Sequence, residues 1–196
     1  MSIPYLDDLR CGRIGSLSIS AEGQYAVDAP PYGPILSGSF NPLHAGHRGM
    51  SAAAATICGA PTAFELPLRN ADKGELPGDE VIRRARQFQG WATLILSCAP
   101  FFAQKARLYP GRTLVLGYDT AARLLDPAYY GGVSGLCDAL DQIRAAGCRL
   151  LVAGRLVHGR FHTLADLNLP SEYVDLVRAI PVQQFRMDIS STKLRR

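Results

Sequence analysis

The chain has 196 residues, 47% of them apolar, and a formal net charge of +4 at pH 7. That length suits one domain, and that apolar share excludes global disorder. No run approaches the 18 apolar residues of a membrane-spanning helix, so no membrane partner is expected.

The charge is unevenly placed. Residues 1–148 hold 13 basic and 13 acidic side chains, and residues 149–196 hold 8 and 4. Arg186, Lys193, Arg195 and Arg196 crowd the tail against Asp188. So few basic groups in so short a stretch suit a small polyphosphate rather than a nucleic acid. The N-terminus has an early acidic pair and no apolar signal core, so a cytoplasmic location is expected. Cys11, Cys58, Cys98, Cys137 and Cys148 are scattered, odd in number and form no CxxC, which reads as reduced, structural thiols. A homo-oligomer is left open.

In chain order, residues 1–33 read as an N-terminal extension. Ser16–Ser20 alternates polar and apolar residues and can pair with Tyr25–Val27. The result is a small hairpin, a peripheral flap or edge strand, followed by the stiff connector 29–34. Residues 34–196 then alternate. A strand at 35–38 leads to a helix at 44–58, and a strand at 62–68 to a polar loop at 70–74. A helix follows to Phe88, with Val81, Ala85 and Phe88 on one face and Arg83, Arg84 and Arg86 mostly off it. Next come a strand at 92–97, a short helix to Arg107, a strand at 113–116 and a helix at 120–125. Leu136, Leu140 and Ile143 mark another helix, stopped by Gly147. A strand at 149–153, a short helix near 171–176 and a last strand near 178–182 complete the pattern. Short apolar strands separated by helices predict right-handed crossovers and a parallel sheet with helices on both faces. The expected fold is therefore a single Rossmann-like α/β domain. Ligands of such sheets bind at the carboxyl ends of the strands.

The stretch that carries chemistry is Gly38-Ser39-Phe40-Asn41-Pro42-Leu43-His44-Ala45-Gly46-His47. It reads as a strand, a tight loop and a helix start, where unpaired backbone N–H groups form an anion site. His44 and His47, three apart, share one helix face. The tail, Ile189-Ser190-Ser191-Thr192-Lys193-Leu194-Arg195, offers hydroxyls, free amides at a helix start and a guanidinium fork. Gly117-Tyr118-Asp119 ends a strand with a glycine that admits a ligand and a carboxylate that can accept from ribose hydroxyls. His158 and His162 are spaced for a metal, but Gly159 argues against a helix there and no third ligand is near, so no protein-built metal site is expected.

The first and last of these stretches, 145 residues apart from His44 to Ile189, resemble the two signatures of the HxGH/ISSTxxR nucleotidylyltransferases. Within that superfamily the chain is most similar to nicotinamide and nicotinate mononucleotide adenylyltransferases. The resemblance covers 34–196 and implies an enzyme of NAD biosynthesis that transfers AMP from ATP to a mononucleotide and releases pyrophosphate. It implies that His44, His47 and Arg195 are catalytic. Gly38, Ser39, Phe40, Gly117, Asp119, Ser190, Ser191 and Thr192 would join them in binding ATP. Asn70, Lys73, Phe101 and Tyr130 would bind the acceptor, with Lys73 on its phosphate. Tyr130 stands where the family usually has tryptophan, and the tryptophan expected near Phe101 and Phe102 is missing. Trp91, ahead of a buried strand, reads as packing. Mg²⁺ would arrive bound through the ATP phosphates. Two other readings stay open: the same scaffold with another acceptor, such as phosphopantetheine, or with CTP as donor; and a nucleotide-binding module without turnover.

Overall fold

The computed structural model describes residues 3–70, 74–157 and 159–186. The expectations placed on Lys73, His158, Ser190, Ser191, Thr192 and Arg195 lie outside the described residues. In chain order the elements are α1 (Leu6–Arg10), β1 (Ser16–Ile19), β2 (Tyr25–Val27), β3 (Ile35–Ser37), α2 (Ala45–Cys58), β4 (Ala63–Pro67), β5 (Arg69–Asn70), β6 (Gly74–Glu75), α3 (Gly78–Ala85), β7 (Leu94–Ser97), α4 (Phe102–Leu108), β8 (Thr113–Gly117), α5 (Tyr118–Leu124), α6 (Val133–Ala145), β9 (Arg149–Ala153), β10 (Arg155–Val157), β11 (Arg160–His162) and β12 (Val177–Ala179).

Eight strands form one sheet in the order β12-β9-β8-β3-β4-β7-β1-β2. The six from β12 to β7 are parallel. Sequence order therefore runs outward from β3 in one direction and from β8 in the other. This is the doubly wound, Rossmann-like arrangement, and its switch point lies between β3 and β8. Successive strand residues point to opposite faces. Leu36, Phe64, Leu66, Leu96, Val115 and Leu151 pack with α1, α2 and α3 on one side. Ile35, Ala63, Ile95, Leu114, Leu116 and Val152 pack with α4, α5 and α6 on the other. Each Leu, Ile, Val and Phe among them, buried to a few per cent exposure, contributes about 1.5–3 kcal/mol of transfer free energy.

The N-terminal hairpin completes this sheet. All four residues of β1 are buried, and β1 pairs antiparallel with β7 from Ser16↔Ser97 to Ile19↔Leu94. Asp28 closes the hairpin by accepting from the backbone N–H of Gly15 and Ser16 at 2.8 and 2.7 Å. Of the two alternatives read from the sequence, the edge strand is the one formed, because burial of β1 leaves nothing to flap. Three elements were not expected. The β5–β6 hairpin pairs Arg69 with Glu75 and Asn70 with Gly74 where a polar loop was read. Helix α1 is short and lacks a legible periodicity. The β10–β11 hairpin turns at Gly159 and folds onto Gly154. Any Cβ at Gly154 would lie 2.7 Å from the Phe161 ring and 2.8 Å from the His162 carbonyl.

Candidate functional site

The loop between β3 and α2 lies beside the switch point. Gly38 opens it because a side chain would collide with the Phe40 ring at 2.7 Å. Phe40 takes φ +44°, a left-handed conformation that costs a bulky residue on the order of 1–2 kcal/mol. Its ring offsets that cost by filling the core: it is fully buried and meets Phe64, Phe88 and His47 edge-on. Phe40, expected among the ATP-binding residues, therefore turns only its backbone to the loop.

Helix α3 and the 3₁₀ turn that follows it, Arg86–Phe88, clamp the loop from outside. Arg84 donates from Nη1 to the Ser39 carbonyl at 2.9 Å. Gln87 donates to the Phe40 carbonyl at 2.9 Å and accepts from the Leu43 N–H at 2.8 Å. Arg83 reaches the Asn41 side chain at 2.6 Å, and Glu80 holds both arginines. Arg84, expected off the buried face, is buried because it spans from Glu80 to the loop backbone. This clamp gave no signal in the sequence, since arginines and a glutamine on an amphipathic helix ordinarily mark its wet side.

His44 is the N-cap of α2, with extended backbone. Its Nδ1 accepts from the Gly46 N–H at 3.1 Å, and His47 Nδ1 accepts from the His44 N–H at 3.3 Å. The rings stack with centroids 3.8 Å apart. An Nδ1 that accepts carries no proton, so each neutral ring is protonated at Nε2. Burial lowers both pKa values. Arg155 adds to the effect on His44, and His44 adds to it on His47, which falls to about 4. At neutral pH the pair thus supplies two uncharged N–H donors at a helix N-terminus, a setting suited to an anion.

Gly117 and Asp119 stand across the switch point, at the end of β8 and in the first turn of α5. The Asp119 carboxylate is ion-paired with the guanidinium of Arg155 on β10, and the Tyr118 ring lies against His162 with centroids 5.2 Å apart. Arg155 thus acts on two residues read from the sequence: it pairs with Asp119, and its charge lowers the His44 pKa. Its signal was the alternation of Arg155-Leu156-Val157 and Arg160-Phe161-His162 about Gly159, a hairpin pattern.

Of the expected acceptor residues, Asn70 follows β4, Phe101 follows β7 and Tyr130 follows α5. Asn70 lies in β5, paired with Gly74 of β6. Phe101 is the half-buried cap of α4, whereas Phe102 is buried in the core. Tyr130 ends a short 3₁₀ helix, and burial raises its pKa. Trp91 packs on Phe64 and Phe88, as expected, and is also covered by Arg48 at 4.4 Å.

There is also a buried charge cluster. Lys105 Nζ binds both oxygens of Glu65 at 2.7 and 2.8 Å, and Ser97 and Ser37 each donate to that carboxylate at 2.5 Å. Glu65 is fully buried and Lys105 nearly so. The Tyr109 hydroxyl, buried nearby, has no hydrogen-bond partner among the described residues. Burial and the Glu65 charge push its pKa well up. One glutamate inside the apolar run Ala63-Phe64-Glu65-Leu66 was the signal for this cluster. Among the described residues no group of three or more His, Cys, Asp or Glu could hold a metal ion, and no helix is long and apolar enough to cross a membrane.

No protein-family model matches the chain, and a search of the curated proteins gives no match.

Proposed function

We propose that the protein is a nucleotidylyltransferase that transfers AMP from ATP to nicotinamide or nicotinate mononucleotide, with release of pyrophosphate. The observation that carries this reading is the pair of neutral, Nε2-protonated imidazoles at the N-terminus of α2, beside the switch point of a parallel sheet. The resemblance of the two motifs, 38–47 and 189–195, supplies the reaction.

A phosphate acceptor is already ionised at pH 7, so the reaction needs no general base. An acceptor oxygen attacks the α-phosphorus in line. The new P–O bond forms as the bond to the β-phosphate oxygen breaks, and its electron pair leaves with pyrophosphate. Catalysis then rests on alignment and on stabilising charge at the phosphorus and the leaving group. His44 and His47 donate to the triphosphate, with His47 nearest the α-phosphate. Neutral donors suit this task, because a buried imidazolium would carry a large desolvation cost. Ser190, Ser191, Thr192 and Arg195 hold the β and γ phosphates, and Asp119 accepts from the ribose once Arg155 releases it. Lys73 holds the acceptor phosphate, and Asn70, Phe101 and Tyr130 line the acceptor pocket. The donor set fits a Mg²⁺ held by phosphates and water, which would neutralise charge on the triphosphate. We place the reaction in the cytoplasm.

The test is turnover with ATP, Mg²⁺ and either mononucleotide, read as pyrophosphate and dinucleotide. Dinucleotide formation that falls by orders of magnitude in a folded His47→Ala variant is the expected result. Release of pyrophosphate only with phosphopantetheine, or only from CTP, would reassign the substrates. ATP binding without pyrophosphate release against any acceptor would make the protein a binding module.

A further inference from the structure

Residues 1–33 lie outside the family resemblance, yet α1 is fixed to the expected acceptor side. Leu9 is 1% exposed and packs in the same core as Leu68 and Val81. The Cys98 thiol, one residue past β7, donates to the Leu9 carbonyl at 3.5 Å. Arg10 donates from Nη2 to the Leu76 carbonyl at 2.8 Å, and its Nε lies 2.9 Å from Glu75 Oε1. Arg69 Nε donates to Glu75 Oε2 at 3.2 Å, and its Nη2 donates to the Arg10 carbonyl at 3.1 Å.

Two guanidinium groups therefore share one carboxylate and leave a net positive charge. Neither Arg10 Nη1 nor Arg69 Nη1 donates a hydrogen bond among the described residues. The Arg69 side chain is half exposed and that of Arg10 about a quarter, and Glu75 fixes the orientation of both. An ion pair alone requires one arginine, and the second is surplus to it. The cluster stands just beyond β4 and β7, on the sheet edge where β3 hands over to His44. Convergent guanidinium forks on a strand-end edge match a phosphate dianion in charge and geometry.

We infer that Arg10 and Arg69, arrayed about Glu75, form a seat for the phosphomonoester of the acceptor, so that the N-terminal segment supplies one wall of the acceptor site. This rests on the adenylyl-transfer reading above. It gives residues 1–33 a substrate-binding role beside their structural one.

The experiment is calorimetric titration of the full chain and its Arg10→Gln, Arg69→Gln and doubly substituted variants with nicotinamide mononucleotide, nicotinamide riboside and ATP. Thermal melts check that each variant is folded. The mononucleotide Kd rises on the order of tenfold per substitution, while riboside and ATP affinities hold. Arg69→Lys, which keeps the charge, recovers part of the loss. Unchanged mononucleotide affinity in folded variants overturns the inference, as does an equal loss of riboside binding, or a parent protein that binds no mononucleotide. Pyrophosphate release by the parent protein is read separately. Turnover that persists with unaltered mononucleotide affinity in the variants sinks this inference and leaves the adenylyl-transfer reading standing.

Discussion

His47 takes the backbone N–H of His44 on its Nδ1 at 3.3 Å and stacks on the ring of the same residue. This reciprocal cap holds only while His47 is neutral, and burial holds its pKa at about 4. An unfolded histidine titrates near 6.5, so between these values the unfolded chain binds the extra proton. Stability from this group is therefore complete above about pH 6.5 and is lost as pH falls towards 4. Its upper bound is about 3 kcal/mol. Urea midpoints measured from pH 7 down to 4.5 should fall more steeply for the parent than for His47→Gln. Parallel curves would contradict the assignment.

Arg155 lowers the His44 pKa through its charge. In Arg155→Gln the His44 pKa should rise, though burial still keeps it below that of a free histidine. An NMR titration of the imidazole protons reads this directly. The substitution also releases Asp119, so nucleotide affinity reports whether the ion pair competes with the ribose.

Gln87→Ala removes two hydrogen bonds from the loop backbone and leaves the Phe40 carbonyl and Leu43 N–H to find water. A loss of about 1–3 kcal/mol is expected by denaturant unfolding. ATP affinity should fall with it, because the strained φ of Phe40 loses its outer restraint. Gln87→Glu can still accept from Leu43 but cannot donate to Phe40, so its loss should be of similar or greater size.

Breaking the Glu65–Lys105 pair on one side strands a buried charge. Lys105→Met or Glu65→Leu alone should cost about 3–5 kcal/mol. The double variant should cost much less than the sum, since both charges leave together. A double-mutant cycle in urea measures the coupling, and additive losses would mean that the pair does not interact.

The parallel sheet was legible because its strands are short apolar runs bounded by proline and glycine, with amphipathic helices between them. The loop from Gly38 to His47 was legible because glycine and a histidine pair at a helix start have a local meaning. The residues that hold this loop were not. Gln87 lies 47 positions from the Phe40 carbonyl it binds, and nothing in its own neighbourhood marks that contact. Asp119 was read as open to a ligand, and its ion pair with Arg155 depends on where the β10–β11 hairpin lands. Phe40 was read as an ATP-binding residue from its place in the motif, and what the sequence did not show is that its ring packs in the core and leaves its backbone at the loop.

Helix α3 starts three residues after β6 and ends against the loop that bears His44. Its first residue, Gly78, faces the Arg10 guanidinium, which a Cβ at that position would meet at 4.0 Å, and Arg83 and Arg84 near its end grip Asn41 and Ser39. One rigid rod thus touches both halves of the cleft. A ligand that shifts Arg10 and one that orders the Gly38–His47 loop both bear on that helix. If both shift it, each changes the other's binding by the same factor, by thermodynamic reciprocity.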